Sequence, residues 1–193
     1  MEKFKDLPFP EYMAKMKKAI DLIPQKKVEE AVALILKARN EGGSIYCVGN
    51  GGSAAVASHF VNELWKGCSQ KGRKSFKAIC LSDNVPNFSA YANDEGYENV
   101  FSSQLDGIVS GKDVVFAISS SGNSKNILNA VEVAQKNGAK VIGLTGFGGG
   151  KLSELSDVSV HVADDHYGRI EDAHMIICHY IGSHLRRILV DLK

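Results

Sequence analysis

The sequence predicts an α/β fold: a doubly wound, mostly parallel five-stranded sheet flanked by helices and preceded by a helical lead-in. Three observations carry that prediction. Five short apolar runs rich in β-branched residues read as buried strands of a parallel sheet. Segments with helical spacing fill the intervals between them, so strand and helix alternate. The 193 residues, 44% of them hydrophobic, suffice for one compact domain with a single substantial core, and two domains would be crowded.

Between Glu11 and Asn40 apolar residues recur at helical spacing, from Met16, Ile20 and Ile23 to Val28, Ala31, Leu34, Ile35 and Ala38. Pro24 interrupts them and suits the start of a second helix. The strands then follow as SIYCVG (44–49), FKAICL (76–81), DVVFAIS (113–119), AKVIGLTG (139–146) and VSVHV (158–162). Helical patterns lie at 53–66, around 87–91, at 97–108, at 124–137 and from about 169 to 190. No internal repeat, low-complexity tract or linker interrupts them; GFGGGKLSELSD is a short glycine-rich loop before the last strand.

Composition narrows the function. A formal net charge of +1 gives no electrostatic case for nucleic acid or an anionic membrane surface, which leaves a small polar ligand as the natural partner. The four cysteines, Cys47, Cys68, Cys80 and Cys178, form no C-x-x-C pair, and three sit in or beside apolar runs, so a reducing cytosol is expected. The opening stretch MEKFKDLPFPEYMAK is charged and broken by two prolines, unlike the core of a secretory signal. No later run is long enough to span a bilayer.

Two strand-to-helix turns are suited to an anion. GNGGS (49–53) strips away side chains so that an anion can approach the backbone, and SSSGNS (119–124) offers hydroxyls and amides, with Ser124 placed to cap the next helix. Neither is a nucleoside triphosphate loop nor a dinucleotide fingerprint, which favours a sugar phosphate or a similar small anion. One such turn is equally good loop chemistry; two at equivalent sheet positions favour binding.

Ionisable groups fall on two helices. Ala54, Ala57, Phe60, Val61, Leu64 and Trp65 form an apolar stripe, and His59 and Glu63 lie one turn apart on the opposite face. Such a pair shares a proton network, binds one metal ion, or is a solvated surface pair. On the final helix Ile170, Ala173, Ile177, Ile181 and Ile188 form the stripe, with Glu171 and His179 off it, two turns apart. The stretch AHMIICHYI is apolar nearly all round, as in a helix buried on two faces or in a subunit interface. His179 alone would more readily be a satisfied core histidine. Asp94, in YANDEGYEN, reaches sugar hydroxyls or belongs to an ordinary turn. His161, His166, His174 and His184 show no interpretable pairing, although His166 precedes the last helix.

In order along the chain, VGNGGSAAVASHFVNEL, ANDEGYENVFSSQL, ISSSGNSKNILNAVEVAQKNGAKVIGLTG and RIEDAHMIICHYI resemble the sugar isomerase (SIS) fold, and within it the phosphoheptose isomerases. The resemblance implies one SIS domain over residues 1–193, with residues 1–42 contributing to oligomer contacts, and a cytoplasmic homotetramer with sites between subunits. It implies a sugar-phosphate substrate whose phosphate is held by Ser119, Ser120, Ser121 and Ser124. It also implies sugar contacts from Asn50, Gly51, Gly52, Ser53, Asn93, Asp94 and Glu171. Zinc is expected among His59, Glu63, Glu171 and His179, with Glu63 and His179 as the catalytic pair.

The expected reaction is the interconversion of sedoheptulose 7-phosphate and D-glycero-D-manno-heptose 7-phosphate through an enediol. The alternatives are a non-catalytic SIS module that senses a sugar phosphate or bridges a partner, and an isomerase of another sugar phosphate. Two positions depart from the family pattern. Glu171 stands where members carry glutamine, and Gly67 where they carry arginine, with Lys66 or Arg73 as candidate replacements.

Overall fold

The structure is a computed structural model and describes residues 7–191; the first six residues of the expected lead-in lie outside the described residues. Two helices lead in. Helix α1 (Phe9–Asp21) carries a proline in its first turn and Glu11 near its positive end. Helix α2 (Gln25–Glu41) starts just past Pro24 and stops at Gly42, which takes the left-handed conformation.

Five strands follow, β1 (Ser44–Gly49), β2 (Lys77–Cys80), β3 (Val114–Ser119), β4 (Lys140–Thr145) and β5 (Val158–His161), with every pairing parallel and the order β2-β1-β3-β4-β5. Between them run α3 (Gly52–Asn62), α4 (Val85–Asp94), α5 (Ser102–Leu105), α6 (Lys125–Lys136) and α7 (Gly150–Leu155), and α8 (Tyr167–Asp191) closes the fold.

Alternation along the buried strands divides the core into two. Ile45, Cys47, Val114, Phe116, Ile118, Ile142 and Leu144 face α1, α2, α3 and α8. Tyr46, Val48, Val115, Ala117 and Val141 face α5, α6 and α7. A parallel sheet buried on both faces needs apolar residues at consecutive positions, which is why the strands read as continuous runs. Because β2 and β3 flank β1 on opposite sides, the chain reverses its winding between β1 and β3. Helix α3 therefore leaves on one face and α6 on the other, opening a crevice at the strands' carboxyl ends.

Two elements differ from the sequence reading. The expected helix at 97–108 is a 3-10 turn (Tyr97–Asn99) followed by the short α5, since the Ser102 hydroxyl donates to the Asn99 carbonyl and Asp106 turns extended. The expected helix at 53–66 stops at Asn62 and becomes a π turn (Glu63–Gly67) closed by the Cys68 N–H on the Glu63 carbonyl at 3.0 Å. The wider turn buries Leu64 but swings Trp65 off the apolar stripe, leaving it 57% exposed. It also tucks Cys68 inside, although that residue sits in a polar stretch; its thiol donates to the Gly182 carbonyl. All four cysteines are free and buried.

The start of α8 is fixed by charge. Arg169, fully buried, grips Asp164 through two nitrogens at 2.9 and 2.7 Å and also reaches Asp165. Burial alone would push the Asp164 carboxyl up, but the guanidinium and the His166 N–H hold it below its ordinary value. Tyr12 of α1 covers the guanidinium with its ring and donates its hydroxyl to Asp172. Among the described residues no helix is long and apolar enough to cross a membrane.

His174 lies in the core, its Nε2 3.1 Å from the Thr145 carbonyl, which a neutral ring can satisfy. Burial lowers its pKa to about 4, against the opposing pull of that carbonyl. An unfolded histidine titrates near ~6.5, so acid favours the unfolded chain between those values. His174 thus contributes stability that is intact above about pH 6.5 and lost as pH falls toward 4, up to about 3 kcal/mol. In His174→Gln, which keeps a donor but does not titrate, urea midpoints should fall less steeply over that window than in the native chain.

Candidate active site

The carboxyl ends of β1 and β3 supply the first half of the site. After Gly49 the chain turns into α3 through Gly51, whose φ of +53° and ψ of −123° suit only glycine. Gly52 is bare for another reason: a methyl there would overlap the Glu171 carboxylate, which packs against it from α8. The glycine turn therefore makes room for a side chain as well as for a ligand. Burial, and secondarily the neighbouring Asp172, raises the Glu171 pKa.

After β3, the Ser119 carbonyl accepts the Gly122 N–H at 3.0 Å and the Ser120 carbonyl accepts the Gly146 N–H at 2.9 Å. Gly122 has φ +66°, and a methyl there would run into the Gly149 carbonyl. Ser124 holds the position before α6, but its hydroxyl makes no cap bond. It lies 3.2 Å from the Ser119 hydroxyl instead, so the cap expected from sequence is replaced by a pair of hydroxyls. The Ser120 hydroxyl is buried without a hydrogen-bond partner among the described residues, and the Ser121 hydroxyl accepts the Asn123 N–H.

These serines, with Asn50, Ser53, Tyr167 and Glu171, line a hollow of about 140 Å³. That is well below the ~300–1,000 Å³ of a typical small-molecule pocket, the scale of one anionic group rather than a whole sugar. Hydroxyls, an orphan donor and two helix starts are the groups that an oxyanion site requires.

The second half lies where α3 meets α8. His59 and His179, 120 residues apart, bring their Nε2 atoms to 2.7 Å with the rings at 89°. Glu63 Oε1 lies 3.7 Å from His59 Nε2. One donor atom from each of the three falls within 4.8 Å of the others, a set that can hold a metal ion. Glu63 begins the π turn and is hemmed by glycines: a methyl at Gly182 would sit 3.1 Å from its Cβ, and one at Gly67 would sit 3.0 Å from Oε2. Its side chain keeps 26% of its surface exposed, enough to meet a ligand.

The structure does not bring every expected residue together. Glu171 lines the serine hollow and stands outside the His59–Glu63–His179 group. Asn93 donates to Asp94 at 2.7 Å at the exposed end of α4, outside both groups. Arg73 is engaged by the Leu189 carbonyl, and Lys66 projects beside Trp65 and Asp83. His166 packs edge-on against Tyr12. Sequence reasoning missed Asn126, Tyr97, Tyr167 and Gly182. A buried asparagine inside a helix and a small residue on an apolar helix carry no pattern until their neighbours are known.

A doubly wound parallel sheet with an oxyanion turn at its switch point and an acid/base cluster across two helices defines a sugar isomerase type of domain. The chain belongs to the SIS domain family, whose model matches residues 9–146, and to its phosphoheptose isomerase branch. It is 38% identical over 172 residues to the phosphoheptose isomerase of Helicobacter pylori (strain P12), covering 89% of this chain and 88% of that one. It is 41% identical over 155 residues to that of Haemophilus ducreyi, covering 80% and 79%. The solved phosphoheptose isomerase of Neisseria gonorrhoeae superposes with a TM-score of 0.84 at 31% identity, over 91% of this chain and 95% of that one. The match to the SIS model ends before α8, so Glu171 and His179 lie beyond it.

Gly122→Ala tests how the oxyanion turn is held. Its left-handed φ and the Gly149 carbonyl should together destabilise the protein by about 2 kcal/mol or more, read from urea unfolding.

Proposed function

We propose that this protein is a phosphoheptose isomerase that interconverts sedoheptulose 7-phosphate and D-glycero-D-manno-heptose 7-phosphate, an early step toward heptose for bacterial surface polysaccharide. The observation that carries the reading is the meeting of His59, Glu63 and His179 across α3 and α8, on the helix that also sends Glu171 into the serine hollow. From residue 171 to 179 is eight residues of helix, about 12 Å of rise. A substrate that spans such a distance carries its phosphate several carbons from the reacting end, as a 7-phosphate acting at carbons 1 and 2 does.

Ser119, Ser120, Ser121 and Ser124 hold the phosphate. Ser53 and Asn50, at the edge of the same hollow, meet the nearby sugar hydroxyls with Gly51, Gly52 and Glu171. Asn93 and Asp94 complete the sugar contacts when a subunit interface brings them within reach. A Glu63 carboxylate oxygen takes the proton from carbon 1 of the ketose while the carbonyl electrons move to the carbon 2 oxygen, giving the enediolate. His179 carries a proton from the carbon 1 oxygen to the carbon 2 oxygen. Glu63 then returns its proton to carbon 2, so one hydrogen has moved between carbons and one between oxygens.

His59, Glu63 and His179 also fit zinc: two imidazole nitrogens and a carboxylate form a known catalytic donor set with one position left open. The 2.7 Å between the imidazole nitrogens is a hydrogen-bond spacing and would have to widen by about 0.6–0.7 Å for both to be donors at ~2.0–2.1 Å to one zinc ion. When bound, zinc supplies a Lewis acid that polarises the carbonyl and hydroxyl oxygens.

The active form is a cytoplasmic homotetramer. Exposed Ile176 and Tyr180 on α8 border a groove shared with Ile23 and Val28 of the lead-in, apolar surface suited to a second copy. Four buried free thiols suit a reducing compartment.

The test is turnover of sedoheptulose 7-phosphate, with and without added zinc, read as aldose formed. Glu63→Gln and His179→Ala should each lower kcat by about 10²–10⁴-fold while a sugar phosphate still binds. Turnover unchanged in both variants would refute the mechanism.

A further inference from the structure

The crevice between β1 and β3 is bridged by two amides. Asn50, in the turn after β1, and Asn126, in the first turn of α6, exchange two hydrogen bonds, each amide nitrogen donating to the other's oxygen at 2.9 Å. Asn126 is 2% exposed. Its orientation follows from a backbone donor: the Ile127 N–H donates to Asn126 Oδ1 at 3.0 Å, so that atom is the oxygen and Nδ2 faces Asn50. Asn50 Oδ1 must then face Asn126 Nδ2. The Tyr97 hydroxyl, 2.8 Å from the same oxygen, is consequently a donor. Asn50 has spent both acceptor positions and one N–H on protein, which leaves one N–H for anything else.

The three partners come from three segments: the glycine turn, the serine turn's helix, and the 3-10 turn after α4. The last two are already joined, since Asn129 of α6 donates to the Glu98 carbonyl at 2.9 Å, and the Asn50 amide ties the glycine turn to both. Helices α3 and α6 diverge to opposite faces of the sheet here, and no backbone hydrogen bond joins the two strands past Gly49 and Ile118. We propose that Asn126 is a positioning residue that locks the two oxyanion turns at a fixed separation across the crevice, with Tyr97 as the outer bolt of that lock. The proposal rests on the sugar-phosphate reading for its consequence in affinity, but not for the lock itself.

Asn126→Asp is the sharpest probe. A carboxylate is the same size, and near the start of α6 the helix dipole favours it, so the helix should persist. It replaces a donor by an acceptor, however. The Asn50 oxygen then faces a carboxylate oxygen with no donor between them, and flipping the Asn50 amide only moves the clash to the other oxygen. Tyr97→Phe removes a single hydroxyl from a half-exposed ring and cannot prevent folding.

Amide hydrogen exchange is the first readout. In Asn126→Asp residues 49–54 and 119–124 should exchange about tenfold faster together, and in Tyr97→Phe by a smaller factor. Unchanged exchange in both variants, or a rise in one turn only, would overturn the lock. The second readout is kinetics on sedoheptulose 7-phosphate: KM should rise about tenfold in Asn126→Asp, and more than kcat falls. A fall in kcat at constant KM would overturn the positioning role. Should the native chain fail to turn over this sugar phosphate, the functional reading falls, and hydrogen exchange alone still decides the lock.

Discussion

The separation of the two turns that end β1 and β3 is the constraint on which the site depends. Parallel strands 4.8 Å or so apart hold the turns in register up to the last ladder bond and no further. Beyond it α3 and α6 go to opposite faces, each packed into a different core. Any shift of one face relative to the other would change the shape of the hollow between them. The asparagine pair lies at the point where sheet geometry stops controlling that shape.

The bare glycine turn looks different once its neighbours are known. An empty backbone after a strand suggests an anion, and Gly51 does leave open space. Gly52 is filled by a carboxylate of the protein itself. Glu171 thus brings negative charge to a hollow otherwise furnished with hydroxyls and helix starts. Burial and Asp172 favour its protonated form, which limits the repulsion a bound phosphate would meet. A glutamine at this position would present no charge at all.

Much of the fold was legible because burial on both faces forces apolar runs, and Cys47–Val48 and Phe116–Ile118, short and bounded by turn residues, read as interior strand. The order of the strands was not legible, since every run looks alike and order is set by which helices pack together. The same limit explains Trp65. Its spacing from Phe60 and Val61 is helical, but the π turn at Glu63 adds a residue to the turn, and periodicity has no means of registering that insertion. His59, Glu63 and His179 were legible as single residues on two helices, whereas their meeting depends on α3 packing across α8, a tertiary fact. Asn126 was invisible because an amide in a first helical turn ordinarily faces water.

The π turn and the small residues around it belong to one solution. Glu63 must reach His59 on its own helix and His179 on the next, and a regular helix continuing through Lys66 and Gly67 would keep its side chain in step with the surface. Opening the turn at Glu63 frees its carbonyl to accept the Cys68 N–H, and Cys68 in turn donates to the Gly182 carbonyl of α8. That links the end of α3 to α8 directly beneath the carboxylate. Gly182 then lets the two backbones approach closely enough that Glu63 Cβ fits where any larger residue would push it away. Arginine at position 67 would bring a positive charge beside Oε2; glycine there brings none and leaves His59 Nε2 3.7 Å from Oε1. Residues 67 and 182 therefore both bear on where the carboxylate sits.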